Sequence, residues 1–208
     1  MKANLYVTIG MLLILSGCLS EQAIIKKHYI IEWQSDQESS NNESFEAIQG
    51  SCQITQIEIS PVFERTQIVN RSGSHEITYY KYHQWAVRPS VPILEIIENY
   101  MESSGTFESI STRYSRKIPD YRLTTKIHQL EVIESSDAFS AHVNIEFRII
   151  NNSNNQVLLN HRSDKTETLP AKDLNLFART VSNILIAELQ TFTSLIETQR
   201  STFEQETE

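Results

Sequence analysis

Residues that could do chemistry are scattered along this chain. The six histidines include no pair at the close spacing that a helix or strand would use to hold a metal. His128 and His142 could face each other on neighbouring strands, but no third ligand accompanies them. Exposed polar positions on strands are therefore the favoured reading of both. Asp120, Glu131 and Glu134 read as solvent-face carboxylates. No glycine loop that could cradle phosphate, nucleophile elbow, zinc-protease helix or kinase motif set is present. The expectation is a protein that is not an enzyme and takes no cofactor and no metal. An envelope hydrolase stays open as a reading, since catalytic groups can lie far apart in sequence.

The thiol chemistry is more specific. Of two cysteines, Cys52 sits in an apolar-rich run, Cys52-Gln53-Ile54, and reads as a small buried hydrophobe. Cys18 stands elsewhere, directly after Leu15-Ser16-Gly17. Those residues close a segment that begins with Lys2 and runs apolar from Leu5 to Leu15, broken only by Thr8 and Gly10. The run is too short to span a bilayer comfortably, and polar residues follow it. Leu, a small residue, Gly and Cys in this position resemble a bacterial lipobox, in which the Cys sulfur takes a diacylglyceryl group and cleavage falls before it. An ordinary signal peptide with a chance cysteine is the alternative. Each buried methylene contributes about 0.8 kcal/mol, so one chain anchors marginally and two or three anchor stably. Leu19, rather than Asp, after the Cys favours the outer membrane in a host that has one.

Composition agrees with an anchored protein outside the cytoplasm. Removing residues 1–17 takes away one charge, Lys2, and moves the net charge from −8 to −9. An acidic chain without a basic cluster argues against nucleic acid and against an anionic membrane surface as partners. If Cys18 carries lipid, Cys52 has no disulfide partner. The organisation expected is a signal over 1–17, a lipidated tether over 18–25, one domain over 26–198 and a polar, acidic, fraying tail over 199–208.

The elements that must position these residues follow from periodicity. Strands are expected over 27–33, 52–59, within 62–70, over 76–85 and over 107–114. A long strand should cover 120–133, with a bulge near Gln129 where the alternation slips. Phe139 to Ile149 alternates most regularly, which predicts one face in the core and Ser140, His142, Asn144, Glu146 and Arg148 in water. Its partner is expected at 157–162. Helices are expected from Pro92 to Gly105 and from Asp173 to Thr198. Residues 35–43 read as a solvated loop. The fold class is α/β: a single domain with a mixed, largely antiparallel sheet and two main helices packed on it. Strand 52–59, the first helix and the strand after it could form a parallel crossover.

One stretch is dense in aromatics, Tyr79-Tyr80-Lys81-Tyr82-His83-Gln84-Trp85. It suits either a strand end packed into the core or a contact surface. Strict alternation puts Tyr80, Tyr82 and Gln84 on one face and Tyr79, Lys81, His83 and Trp85 on the other. Trp85, beside the helix start, is the expected structural aromatic. Tyr80 and Tyr82 are the expected partner-contact pair, for a partner or a second copy of the chain.

These residues together resemble a known family. Pro61, Arg65, Gln67-Ile68-Val69 and Arg71 lead to the aromatic strand, then to Trp85-Ala86 and Pro89. A helix follows that ends in Ser103-Ser104-Gly105-Thr106-Phe107. With Asp120-Tyr121, Leu123, Leu130 and Val132, and with the lipobox, the succession is similar to the ABC-type transport auxiliary lipoproteins, the PqiC-like proteins. The chain departs from that pattern in the polar insertion at 35–50, the acidic tail, and Val87-Arg88 where an acidic residue is common. The resemblance implies a non-enzymatic lipoprotein of envelope lipid transport. Its implied partners are an MCE-domain protein and ABC transporter subunits, at the outer membrane and facing the periplasm. A structural or assembly-factor lipoprotein of outer-membrane biogenesis is the runner-up.

Overall fold

A computed structural model describes residues 25–33, 46–112 and 118–205. The lipobox, with Leu15, Ser16, Gly17 and Cys18, lies outside the described residues, as does the loop expected at 35–43. In chain order the strands are β1 (Lys27–Tyr29), β2 (Ile48–Ile54), β3 (Glu58–Ile59), β4 (Gln67–Arg71) and β5 (Ile77–Trp85). Helix α1 (Ser90–Ser104) comes next, followed by β6 (Phe107–Ser111), β7 (Tyr121–Glu134), β8 (Phe139–Asn151) and β9 (Val157–Thr168). Helices α2 (Leu174–Thr198) and α3 (Arg200–Gln205) end the described chain.

The long strand β7 organises the sheet. One of its edges pairs antiparallel with β8 from Tyr121↔Asn151 to Glu134↔Phe139, and β8 pairs antiparallel with β9. Its other edge takes β2, β3 and β4 end to end, each parallel to it. From there the sheet forks. One arm continues from β2 to β6, in parallel. The other continues from β4 to β5, antiparallel, and then to β1, parallel. The result is a nine-stranded mixed sheet in one α/β domain. The parallel β2–β6 pairing is the one expected around the first helix, and the register shift between Ile127 and Gln129 is the expected bulge.

Both helices lie where their apolar stripes require. In α1, Ile93, Ile96, Ile97, Tyr100 and Met101 are buried. Pro92 falls in the first turn, where a missing N–H costs nothing. Gly105 ends the helix at φ 63°, a left-handed conformation that suits glycine. Helix α2 begins at Asp173, whose carboxylate accepts from the Asn175 N–H at 2.7 Å. Its buried stripe of Leu174, Phe177, Val181, Leu185, Leu189, Phe192 and Ile196 packs on β8 and β9. Among the described residues, no helix is long and apolar enough to cross a membrane.

Three expectations need correction. The N-terminal strand stops at Tyr29, although Ile31 remains buried and Ile30 half exposed. The Glu32 N–H donates instead to Ser182 Oγ at 3.1 Å, so the chain leaves the ladder and follows α2. The second face of β8 is not simply wet, because Ser140, Asn144 and Glu146 are buried there. Residues 200–205 are not a fraying tail. They form α3, and the fully buried Phe203 ring packs edge-on to Tyr121 and Phe107. The Tyr121 hydroxyl donates to the Phe203 carbonyl at 3.3 Å. One apolar residue in a polar tail carries no periodicity, so pattern alone could not find this contact.

Candidate functional site

Register assigns each polar side chain to a face. His161 on β9 reaches Glu188 of α2 at 2.8 Å, so it lies on the helix face, as does its partner Phe147. The odd residues of β8 therefore face the helices and the even ones face away. Glu131 pairs with His142, so both belong to the far face.

That far face carries a tied cluster of ions across four strands. Arg71 of β4 donates to both oxygens of Glu131 on β7, at 2.8 and 2.9 Å. His142 Nδ1 lies 3.1 Å from the same carboxylate, and His142 Nε2 lies 2.8 Å from Asp164 on β9. Asn144 donates to Asp164 at 3.0 Å and to Gln129 at 2.9 Å, and it accepts from Arg162 at 3.3 Å. Farther along, Glu146 lies 3.0 Å from His128 and is paired with Arg148.

The electrostatics follow from this wiring. Burial alone would raise the Glu131 carboxyl, but hydrogen bonds from His142 and Arg71 outweigh it and hold the group below the usual carboxylate range. The bond to Glu131 raises His142 above the ordinary imidazole value, with Asp164 adding to it and burial opposing it. Both ring nitrogens of His142 are engaged by carboxylates. The ring therefore serves as a clamped cation rather than as a free base or metal ligand. His128 and His142 do not meet, because the bulge at Ile127–Gln129 sends His128 to Glu146 and sets Glu131 opposite His142. Glu131 is likewise not a solvent-face carboxylate: it exposes no surface. Asp120 accepts from the Ser51 N–H and hydroxyl, each at 2.8 Å.

The aromatic strand β5 departs from strict alternation. Val69↔Tyr79 and Gln67↔Gln84 are both partners, so a register shift falls between them and resets the phase. Tyr80 consequently lies on the helix face with His83 and Trp85. Its hydroxyl donates to Glu134 at 3.3 Å, and its ring meets His83 edge-on at 5.9 Å. Glu134 also accepts from Lys172 at 3.0 Å and Asn70 at 3.3 Å. Lys172 first, and the other donors with it, keeps Glu134 below the usual carboxylate range. Burial first, then the Glu134 charge, raises the Tyr80 phenol. Tyr80 and Tyr82 are therefore not a free pair on one open face. Tyr82 is half-buried, with Lys81 Nζ 5.2 Å from its ring centre. Trp85 is buried, its ring 5.6 Å from Phe177 of α2. Tyr79 is the exposed member. Because Arg71 pairs with Ile77 and Val69 with Tyr79, it shares the far face with the ion cluster.

Cys52 is buried and free, with its thiol pushed up to about 12, chiefly by burial. It behaves as the small hydrophobe expected. The sequence reading missed the roles of Arg71 and Asp164. Arg71 had a signal, since it stands in the motif run around Gln67-Ile68-Val69; Asp164 had none.

The forked mixed sheet, with two long helices on one face and an ion-tied polar surface on the other, defines an α/β domain known in solved structures. XCC0632 from Xanthomonas campestris is similar at TM-score 0.64 and 16% identity, over 80% of this chain and 92% of that one. A crystal structure of an uncharacterized protein is similar at TM-score 0.63 and 8% identity, over 83% of this chain and 99% of that one. At such identities the likeness concerns the fold. No curated protein matches the chain significantly. The chain belongs to the family described as ABC-type transport auxiliary lipoprotein component, whose model matches residues 34–190, most of its length.

Proposed function

We propose that this protein is a non-enzymatic, lipid-anchored component of an ABC/MCE-type lipid transport system of a bacterial envelope. It is held through Cys18 in the outer membrane and faces the periplasm. The family match over residues 34–190 carries the reading. The Leu15-Ser16-Gly17-Cys18 motif supplies the anchor, and Leu19 supports the outer membrane. The domain's polar groups support a scaffold role rather than a reactive one. Among the described residues, both nitrogens of His142 are clamped and the Cys52 thiol is buried.

Partner recognition falls to the domain surface, and the MCE-domain protein is the expected partner. The test is affinity purification of the lipidated full chain from detergent-solubilised envelopes. Recovery of the MCE protein with its permease and ATPase supports the reading. A clean preparation lacking all three, from cells that express them, argues against it. In parallel, Cys18→Ala should abolish palmitate labelling and leave unprocessed precursor. A labelled or cleaved Cys18→Ala protein would remove the anchor from the argument.

A further inference from the structure

The far face of the sheet carries a cation that has no anion beside it among the described residues. Arg65, in the turn before β4, lays its guanidinium over the Tyr79 ring, 4.4 Å from the centroid. Its Nε is buried and has no hydrogen-bond partner, and the side chain forms no ion pair among the described residues. Glu64, its sequence neighbour, is turned away to accept from Ser90 of α1 at 2.6 Å. The Arg71 guanidinium, on the same face, is already committed to Glu131. Among its described residues, an acidic chain of net charge −8 thus holds a stacked arginine without an ion pair, beside a ring that is 38% exposed.

Stacking on an aromatic face leaves the edge donors of a guanidinium free and fixes their plane. That geometry suits bidentate recognition of a carboxylate or phosphate. The buried Nε leaves the two terminal nitrogens as the donors that an incoming anion would meet side by side. The next cation along β5, Lys81, also lies against a tyrosine, Tyr82, and forms no ion pair among the described residues.

We propose that Arg65, fixed on Tyr79, is a carboxylate-recognition site for an acidic segment of a partner protein. The acceptor is assigned to a protein rather than to an anionic bilayer because adsorption to a bilayer takes several clustered basic residues, which this chain lacks, whereas one carboxylate is held by one guanidinium. β4 pairs along one edge of β5 and β1 pairs with the other over His83–Trp85 only, and the segment is taken to dock on the Arg65 and Tyr79 side chains of the face. The site stands on its own geometry and does not depend on the transport reading.

The probe is a fluorescein-labelled hexaglutamate peptide, titrated against the full chain in detergent and followed by anisotropy. Soluble glycerophosphoglycerol, a lipid headgroup, serves as competitor. Arg65→Gln should weaken peptide binding about tenfold. Arg65→Lys, which keeps the charge but loses the planar fork, should fall between the two. Arg179→Gln, removing an exposed arginine on α2, should change nothing. In the unsubstituted chain the Arg65 Nε–H resonance should move downfield as peptide is added, which keeps the test valid if Arg65→Gln fails to fold. Absence of peptide binding, equal losses in Arg65→Gln and Arg179→Gln, or a stationary Nε–H resonance would each overturn the proposal. Tighter binding of glycerophosphoglycerol than of the peptide would overturn it in favour of a lipid-phosphate site.

Discussion

Arg71 and Glu131 form a two-pronged ion pair across neighbouring strands, with bonds of 2.8 and 2.9 Å, and the carboxylate exposes no surface. This is the geometry in which a charge pair is tightest and least tolerant of losing one member. Arg71→Ala strands a buried carboxylate with only His142 beside it. It should destabilise the fold by about 3–5 kcal/mol in urea unfolding. A loss below about 1 kcal/mol would mean that the pair behaves as though it were on the surface.

The same cluster sets the pH dependence of stability. Glu131 is lowered in the folded state, so its contribution is present above its unfolded pKa and fades as pH falls through the folded one. His142 is raised, so its contribution is complete below the ordinary imidazole value, about 6.5, and is lost as pH rises through the folded pKa. The cluster therefore contributes most on the weakly acid side of neutrality. Melting temperatures of the parent and His142→Gln, taken from about pH 5 to about pH 9, should differ most at the acid end and converge toward the alkaline end. Curves that stay parallel throughout would contradict the assignment.

Much of the scaffold was legible because local signals agreed with one another. Asp173 before an apolar stripe, Pro92 and Gly105 at the two ends of a helix, and the phase slip at Gln129 each mark a boundary with a physical cause. The polar face of β8 was not legible. Asn144 and Glu146 look solvent-directed in a list of residues. They become buried because Arg148, Arg162 and Asp164 from the same sheet reach over and bond to them. Alternation tells which residues share a face, but not whether long charged side chains will roof that face. The phase of β5 was hidden for a related reason: the reset between Tyr79 and Gln84 leaves a run of aromatics that looks equally regular in either phase. Cys18 was visible only as a motif.

Phe203 offers a stability test that sequence pattern would not have suggested. Its ring exposes no surface and meets Tyr121 at 5.8 Å and Phe107 at 6.4 Å. The same short helix is fastened from its first residue, where Arg200 donates to the carbonyls of Glu46 and Ala47. Phe203→Ala should cost about 3–5 kcal/mol. Ending the chain at Gln199 should cost at least as much, since it removes the ring and the Arg200 ties together. A chain cut there with an unchanged denaturation midpoint would mean that α3 does not pack on β7.

The aromatic strand separates packing from recognition, residue by residue. Trp85 is buried against Phe177, so Trp85→Ala should lose about 3–5 kcal/mol. Tyr80→Phe removes one bond to Glu134, a carboxylate that keeps Lys172 and Asn70. The loss should be smaller, about 0.5–1.5 kcal/mol. Tyr82 is half-buried, and its neighbour on the ring is Lys81, whose stem can settle into the space left by truncation. Tyr82→Ala should therefore stay within about 1 kcal/mol of the parent. If Tyr82 contacts the proposed MCE partner, that well-folded variant should still lose co-purification, because interface aromatics often carry a large share of the binding free energy. Melting curves beside pull-downs decide between the roles. A strongly destabilised Tyr82→Ala, or one that melts normally and keeps its partner, would remove Tyr82 from the contact surface. Arg65, in the turn before β4, and Tyr79 of β5 would then be the recognition residues of this face.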